Sequence, residues 1–178
     1  MKAWMAAASG ESITWAAEKG LSILMGPPLA YTQIDDQYLY YKKTPEENGH
    51  SLAGRTTPMG RLICANEIRE KAEAAARNGA RWHIGSCGTK NLRPVQVQST
   101  LNEAHAKQWN TPMISGEKSM EARIQTFLND VVIWGSPEMV IGKIEQQCEE
   151  NFLDYLLLLP LSHQTLLTFT EKVTPHFQ

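Results

Sequence analysis

Short apolar runs alternate with stretches of helical periodicity along this chain of 178 residues. The apolar runs end at turn or cap residues, as buried strands do, and the periodic stretches repeat apolar positions at three- and four-residue spacing. Four strands, each followed by a helix, predict an α/β fold with a parallel sheet, right-handed crossovers and a single domain over residues 1–178. The predicted strands are Ala3–Ala8, Leu21–Met25, Met59–Ala65 and Leu153–Leu159, with a short extended piece at Val131–Trp134 inside the third unit. The last strand is hydrophobic nearly throughout, as expected of a strand covered on both faces of the sheet.

The first two predicted helices have clear boundary signals. The first runs from Glu11 and closes on Gly20. The second carries Thr32 and Asp35 at capping-box spacing. We expect it to end before Thr44-Pro45, because the residue before a proline avoids helical backbone angles.

The third helix has two possible ends. Asn66 is its predicted cap, and the helix either stops at Asn78-Gly79 or continues to Trp82 and Ile84, because a glycine inside a helix costs only about 1 kcal/mol. Later helices are predicted over Lys118–Asn129, from a Ser136 cap followed by Pro137, and over Thr165–Val173.

Residues Thr89–Gly116 lack a sustained pattern and contain two prolines and a possible short helix at Leu101–Trp109. A segment of this length without a secondary-structure pattern, inside a compact domain, is typical of an insertion, a lid or a disordered segment. His105 lies here, and we interpret it as a surface histidine because no acid or cysteine stands beside it at helical spacing.

The turn after the first strand has the strongest chemical signal. Ser9 and Ser12 flank the flexible Gly10 where a helix begins. Backbone N–H groups and hydroxyls at a helix N-terminus favour an anion such as phosphate. The same serines could equally form the N-cap that many helices carry.

Composition excludes several classes of function. The formal net charge is -2 and basic residues are scattered, which gives no reason to expect nucleic acid or an anionic membrane as a partner. The apolar run Phe152–Leu159 is too short for a bilayer span and is interrupted by Asp154. The N-terminus lacks secretory-signal features, so a cytoplasmic protein is expected.

Three cysteines stand far apart without metal-ligand spacing. Cys64, Cys87 and Cys148 are therefore expected to be reduced, small buried apolar residues rather than disulfide partners or zinc ligands. No metal site and no compelling acid–base pair is predicted.

Several motifs follow one another in an order that resembles the luciferase-like flavin monooxygenases, the superfamily of bacterial luciferase. Each motif is weak alone, and their shared order over essentially the whole chain carries the resemblance. The motifs lie at Ala8–Ser12, Trp15–Gly20, Arg61–Glu67 with Lys71–Ala76, Trp134–Val140, Asp154–Leu159 and Val173–Phe177.

The resemblance implies the C-terminal half of a (β/α)₈ barrel, because a complete barrel needs about 250 residues. It implies that the turn holding Ala8, Ser9, Gly10 and Ser12 contacts the phosphate of FMN. Bacterial luciferase has an acidic residue where this chain has Ala8, so light-emitting chemistry is not expected. The family's other phosphate-binding arginines and the groups around the flavin ring lie in its first half, so no catalytic residue is assigned.

The implied function is an FMN-dependent monooxygenase, in which reduced FMN and O₂ oxidise a small organic substrate. Alternatives are a non-catalytic flavin-binding or structural subunit, a remnant of the family, or a relative that uses the deazaflavin F420. A half-barrel leaves two sheet edges open. We therefore expect either a homodimer or association with a chain that supplies the N-terminal half-barrel.

Overall fold

The computed structural model describes residues 4–7, 9–26, 31–47, 49–51, 56–87, 119–150 and 153–178. The prediction for Ala8 and the predictions for Thr89–Gly116, including His105, lie outside these residues.

Every described strand pairing is parallel, which confirms the predicted sheet. β1 pairs with β2, while β3 lies between β4 and β5, and a parallel bridge between Met25 and Met59 joins the two groups. β4 lies beside the carboxyl half of β3, on the same side as Met25 and opposite β5. The strands are β1 (Trp4–Ala6), β2 (Ser22–Leu24), β3 (Pro58–Ala65), β4 (Val132–Gly135) and β5 (Tyr155–Pro160).

Helices follow these strands in the predicted order. A π-helical turn and a 3₁₀ turn, Phe169–Val173 and Thr174–Phe177, close the chain. No helix within the described ranges combines the length and apolarity needed to cross a membrane. The helices are α1 (Gly10–Glu18), α2 (Tyr31–Glu47), α3 (Arg69–Cys87), α4 (Met120–Asp130), α5 (Pro137–Glu150) and α6 (His163–Thr168).

The predicted boundaries of α2 are wrong at both ends. The helix begins at Tyr31, so Thr32 lies inside it rather than at its cap, and it continues through Pro45 to Glu47. A proline inside a helix costs about 3 kcal/mol. Burial of Tyr41, whose hydroxyl donates to the carbonyl of Leu21 at 2.7 Å, holds the helix to the core and offsets that cost.

The longer of the two predicted ends of α3 is confirmed, because the helix passes Gly79 and reaches Cys87. A Cβ at Gly79 would lie 2.8 Å from Leu161 Cδ1, so the glycine lets α3 pack closely against the chain that follows β5. At its start, α3 begins at Arg69 rather than directly after Asn66. The Asn66 side chain accepts the Ile68 N–H at 3.0 Å and forms the preceding turn.

β3 is buried along its whole length because its two faces belong to two different apolar clusters. Met59 and Ile63 pack with residues of α1, α2 and α5. Leu62 and Cys64 pack on the opposite face with residues of α3 and α4. β3 therefore forms the centre of the described structure.

Two predictions of burial are wrong. The last strand was expected to be covered on both faces, yet Tyr155 and Leu159 are 46% and 38% exposed. β5 pairs only with β3 among the described strands, so no described strand lies along its other edge. Cys64 is buried as predicted, whereas Cys148 is exposed, because Gln147 takes the inward position on this turn of α5. The side chain of Cys87 lies outside the described structure.

Candidate functional site

The N-terminus of α1 lies at the carboxyl end of the sheet. The Ala7 N–H donates to the Leu24 carbonyl at 3.2 Å, so the chain leaving β1 stays beside β2 for one more residue. Ser9 then begins the turn into the helix. In parallel βα folds this end of the sheet carries binding and catalytic residues.

Ser9 and Ser12 form a closed hydrogen-bonded pair, the reciprocal capping box. Ser9 Oγ accepts the Ser12 N–H at 3.3 Å, and Ser12 Oγ accepts the Ser9 N–H at 3.1 Å. The Ser9 hydroxyl donates to Ser12 Oγ at 3.1 Å, and the Ser12 hydroxyl donates to the Ser9 carbonyl at 2.9 Å. The interpretation of this turn as a helix cap is therefore confirmed, with Ser9 as the cap and Gly10 as the first helical residue.

The cap leaves a defined set of donors for an anion. Both serine hydroxyl protons are used inside the turn, so they must rotate outward to reach a ligand. The N–H groups of Gly10 and Glu11 make no hydrogen bond to other described residues and lie at the positive end of the helix dipole. Glu11 also places a carboxyl in the first turn, which opposes a bound dianion.

A second contact fixes the position of this turn. Thr14 Oγ1 donates to the Gly10 carbonyl at 2.8 Å and lies 2.8 Å from the Tyr40 hydroxyl on α2. Thr14 is buried, so the first turn of α1 is held against α2 from the inside. The amides of the turn are thereby positioned before any ligand binds.

Serine caps follow two other strands, and their hydroxyl groups are also hydrogen-bonded within their own helix starts. The Ser136 hydroxyl donates to Glu138 Oε2 at 2.7 Å, and this bond lowers the pKa of the Glu138 carboxyl. Ser162, which the sequence analysis missed, accepts the Thr165 N–H at 3.1 Å. Its signal was a serine three residues before a threonine, directly after the last apolar strand. These groups cap their own helices in the structure.

A buried cation lies within β3, which the sequence analysis also missed. Arg61 is fully buried, its Nε donates to Gln147 Oε1 at 3.1 Å, and its terminal nitrogen lies 3.1 Å from Met59 Sδ. The available signal was a single arginine inside an apolar strand. This group faces α5, so it belongs to the packing of that helix and not to the turn at Ser9.

Burial shifts the pKa values of two titratable side chains near the sheet. Burial raises the pKa of the Cys64 thiol, which donates to the Ala72 carbonyl at 3.3 Å. Burial lowers the pKa of His83, whose ring packs 5.1 Å from that of Phe127 between α3 and α4. No group of three or more potential metal ligands occurs among the residues that the structure describes.

Comparison with known proteins gives consistent results. The family model of the luciferase-like monooxygenases matches residues 2–154. The alkanal monooxygenase alpha chain of Photobacterium leiognathi is 22% identical over 182 residues, which is 98% of this chain and 51% of that protein. The chain therefore spans about half the length of the curated relative that it matches.

Solved structures share the fold. An F420-dependent secondary alcohol dehydrogenase in complex with an F420–acetone adduct has a TM-score of 0.63 at 13% identity, covering 98% of this chain and 48% of that chain. The oxygenating constituent of 3,6-diketocamphane monooxygenase from Pseudomonas putida, in complex with FMN, has a TM-score of 0.59 at 16% identity, covering 95% of this chain and 46% of that chain. The predicted parallel βα architecture of part of a barrel is confirmed. The chain belongs to the luciferase-like monooxygenase family.

Proposed function

We propose that this chain supplies half of the active site of an FMN-dependent monooxygenase, with the flavin phosphate bound at the N-terminus of α1. The observation that carries this proposal is the Ser9–Ser12 turn at the carboxyl end of a parallel sheet, in a chain of this family. The FMN in the complex of the diketocamphane monooxygenase, whose fold this chain shares, supports the choice of cofactor.

The residues present fit the phosphate better than the rest of the cofactor. Gly10 and Glu11 offer two backbone N–H groups, and Ser9 and Ser12 offer two hydroxyls that can turn outward. The role assigned to Ala8 stays a prediction. FMN, when bound in its reduced form, supplies the electrons for oxidation of an organic substrate by O₂. The chain itself binds and orients the phosphate and excludes water from this end.

The first test removes both hydroxyls and measures retention of reduced FMN under anaerobic conditions. We expect Ser9→Ala combined with Ser12→Ala to weaken binding by about 1 to 3 kcal/mol, because the hydrogen bonds from the two hydroxyls to a charged group are lost. This corresponds to an increase in Kd of about 5-fold to 150-fold.

Ser119→Ala is the matched control. Ser119 caps α4 by accepting the Ala122 N–H at 3.1 Å, and α4 packs with α3 in a different apolar cluster from α1. Its loss should cost about 1 kcal/mol of stability, as for any N-cap, without changing FMN retention. Equal FMN affinity in the double variant and in Ser119→Ala would remove the phosphate assignment.

A second candidate is a non-catalytic flavin-binding or structural subunit of the same family. The observation that favours it is the closed Ser9–Ser12 capping box, in which both hydroxyl protons are used within the turn. Formation of oxygenated product from an aldehyde or ketone substrate by the purified chain with reduced FMN and O₂, compared with reduced FMN and O₂ alone, distinguishes the two candidates. The same titration with F420 in place of FMN tests for an F420-dependent relative.

The proposed enzyme acts in a reducing, cytoplasmic environment. The free thiols of Cys64 and Cys148 support this location. Its remaining active-site groups come from a complementary half-barrel, and its substrate is a small organic molecule.

A further inference from the structure

We infer that Tyr40 of α2 is a positioning residue for the phosphate-binding turn, and that it acts through Thr14 to orient the backbone N–H of Glu11. The inference rests on the proposed function, because it assigns a role within the same site. It makes the preference for a phosphorylated flavin depend on a hydroxyl that lies on a different helix from the turn.

A chain of two hydrogen bonds runs from α2 to the first turn of α1. The Thr14 hydroxyl donates its single proton to the Gly10 carbonyl at 2.8 Å. The Tyr40 hydroxyl lies 2.8 Å from Thr14 Oγ1 and must therefore be the donor of the second bond. Thr14 is 7% exposed, so water competes little for either bond.

The carbonyl at the end of this chain belongs to the same peptide group as the Glu11 N–H. A peptide group is planar and trans, so its C=O and N–H point in opposite directions. The Gly10 carbonyl points into the helix towards Thr14, and the Glu11 N–H therefore points out of the helix start. Fixing the direction of the carbonyl fixes the direction of this donor.

The chain also strengthens the donor. Hydrogen bonds that share a group polarise one another in a buried environment. A proton donated to the Gly10 carbonyl draws electrons from the peptide group, so the Glu11 N–H becomes a better donor to an anion. Tyr40 extends this effect, because its own bond makes the Thr14 hydroxyl a better donor.

Apolar packing alone would fix the turn less well. The other buried residues of α1 are Ile13, Ala16 and Ala17. Contacts between such side chains have no preferred direction. A hydrogen bond prescribes both a distance and an angle. The bond between Thr14 and Tyr40 therefore sets where the first turn of α1 lies relative to α2.

The next residue of α2 has a different task. The Tyr41 hydroxyl donates to the Leu21 carbonyl at 2.7 Å, directly before β2, and Tyr41 is fully buried. It anchors α2 to the core beyond the carboxyl end of α1. Tyr40 is half-buried and reaches the opposite end of α1, at the phosphate-binding turn.

The test compares reduced FMN with reduced riboflavin in anaerobic titrations of the full chain. The ratio of the riboflavin Kd to the FMN Kd isolates the phosphate, because a general loss of stability weakens both flavins alike. We expect Tyr40→Phe and Thr14→Val each to lower this ratio about 3-fold to 10-fold. Both variants keep the shape of the side chain and remove one hydroxyl.

Two further variants test whether the hydroxyls act in series. The double variant Tyr40→Phe with Thr14→Val should lower the ratio little more than the larger single effect, because both changes break the same chain. Thr14→Ser keeps the hydroxyl and should retain the wild-type ratio. Circular dichroism checks that each variant is folded.

Tyr38→Phe is the matched control. Tyr38 is also a half-buried tyrosine of α2, and its hydroxyl bonds to the side chain of Thr57, directly before β3 at the amino end of the sheet. Removing this hydroxyl should leave the ratio of the two Kd values unchanged.

Three results would overturn the inference while leaving the phosphate site in place. They are a wild-type ratio in Tyr40→Phe, a ratio in Thr14→Ser as low as that in Thr14→Val, and an equal loss in Tyr38→Phe. A wild-type chain that binds FMN and riboflavin equally well is a different failure, since it removes the phosphate site and the inference with it.

Discussion

Replacing Gln147 by leucine should destabilise the fold by removing one hydrogen-bond acceptor of a buried cation. Arg61 is fully buried and its Nε–H donates to Gln147 Oε1 at 3.1 Å, which ties β3 to α5. Leucine is close to glutamine in size, so the substitution creates little cavity. The main effect is therefore the loss of the hydrogen bond.

The magnitude follows from the charge on the donor. A hydrogen bond to a charged group contributes about 1.5 to 3 kcal/mol, and the partner left behind also keeps its desolvation cost. We expect Gln147→Leu to lower the free energy of unfolding by about 2 to 3 kcal/mol. That is a large share of the 5 to 15 kcal/mol that typically stabilises a native protein.

Urea unfolding at one fixed protein concentration measures this loss, with an unchanged slope showing that the two states remain comparable. Gln146→Leu is the matched control, because Gln146 is the neighbouring glutamine on the exposed face of α5. Its effect should stay within about 0.5 kcal/mol. A Gln147→Leu variant as stable as Gln146→Leu would refute the role assigned to this hydrogen bond.

Three further predictions concern single residues. Gly135→Ala should cost about 1 to 3 kcal/mol, because Gly135 has φ of 144° and a Cβ there would lie 2.8 Å from Met139 Cβ; an unchanged thermal midpoint would contradict this. Burial holds the pKa of His83 below its ordinary value of about 6.5, so the unfolded chain takes up that proton first and the fold loses stability as the pH falls below about 6.5. The variant His83→Phe should lose less stability than the wild type over this pH range. Urea midpoints that change with pH by the same amount in the variant and the wild type would contradict the role of His83. Cys148 should be alkylated faster than Cys64 in the folded protein, because only Cys148 is exposed, and peptide mass spectrometry showing Cys64 labelled first would exclude this.

The order of strands and helices could be predicted because it depends on local apolar periodicity. The structure retains the predicted cap Ser9 after β1 and the predicted cap Ser136 before Pro137, where the serine accepts the Met139 N–H at 3.4 Å. The parallel sense followed from the alternation of strand and helix. No long-range information was needed for either prediction.

Features that depend on tertiary contacts could not be predicted locally. The passage of α2 through Pro45 and of α3 through Gly79 is decided by packing, which outweighs the intrinsic helix preferences of proline and glycine. The exposure of β5 depends on which strands pair with it. Its run of leucines suggested a strand covered on both faces, whereas its position at the edge leaves Leu159 exposed.

The candidate site could be located from sequence but not described in detail. The pattern placed Ser9 and Ser12 at a helix start, and the structure shows both hydroxyls bonded within the turn. Sequence spacing could not show that Thr14 and Tyr40 hold this turn in place, because these residues come from different helices. Arg61 was also missed, since only the fold reveals its partner on α5.

The most direct test of the proposed phosphate site compares FMN with riboflavin, which has the same ring system without the phosphate. Anaerobic titration of the wild-type chain with each reduced flavin gives two dissociation constants. If the α1 turn binds the phosphate, FMN should bind at least about tenfold more tightly, a difference of about 1.4 kcal/mol. Equal affinities for FMN and riboflavin would contradict the account.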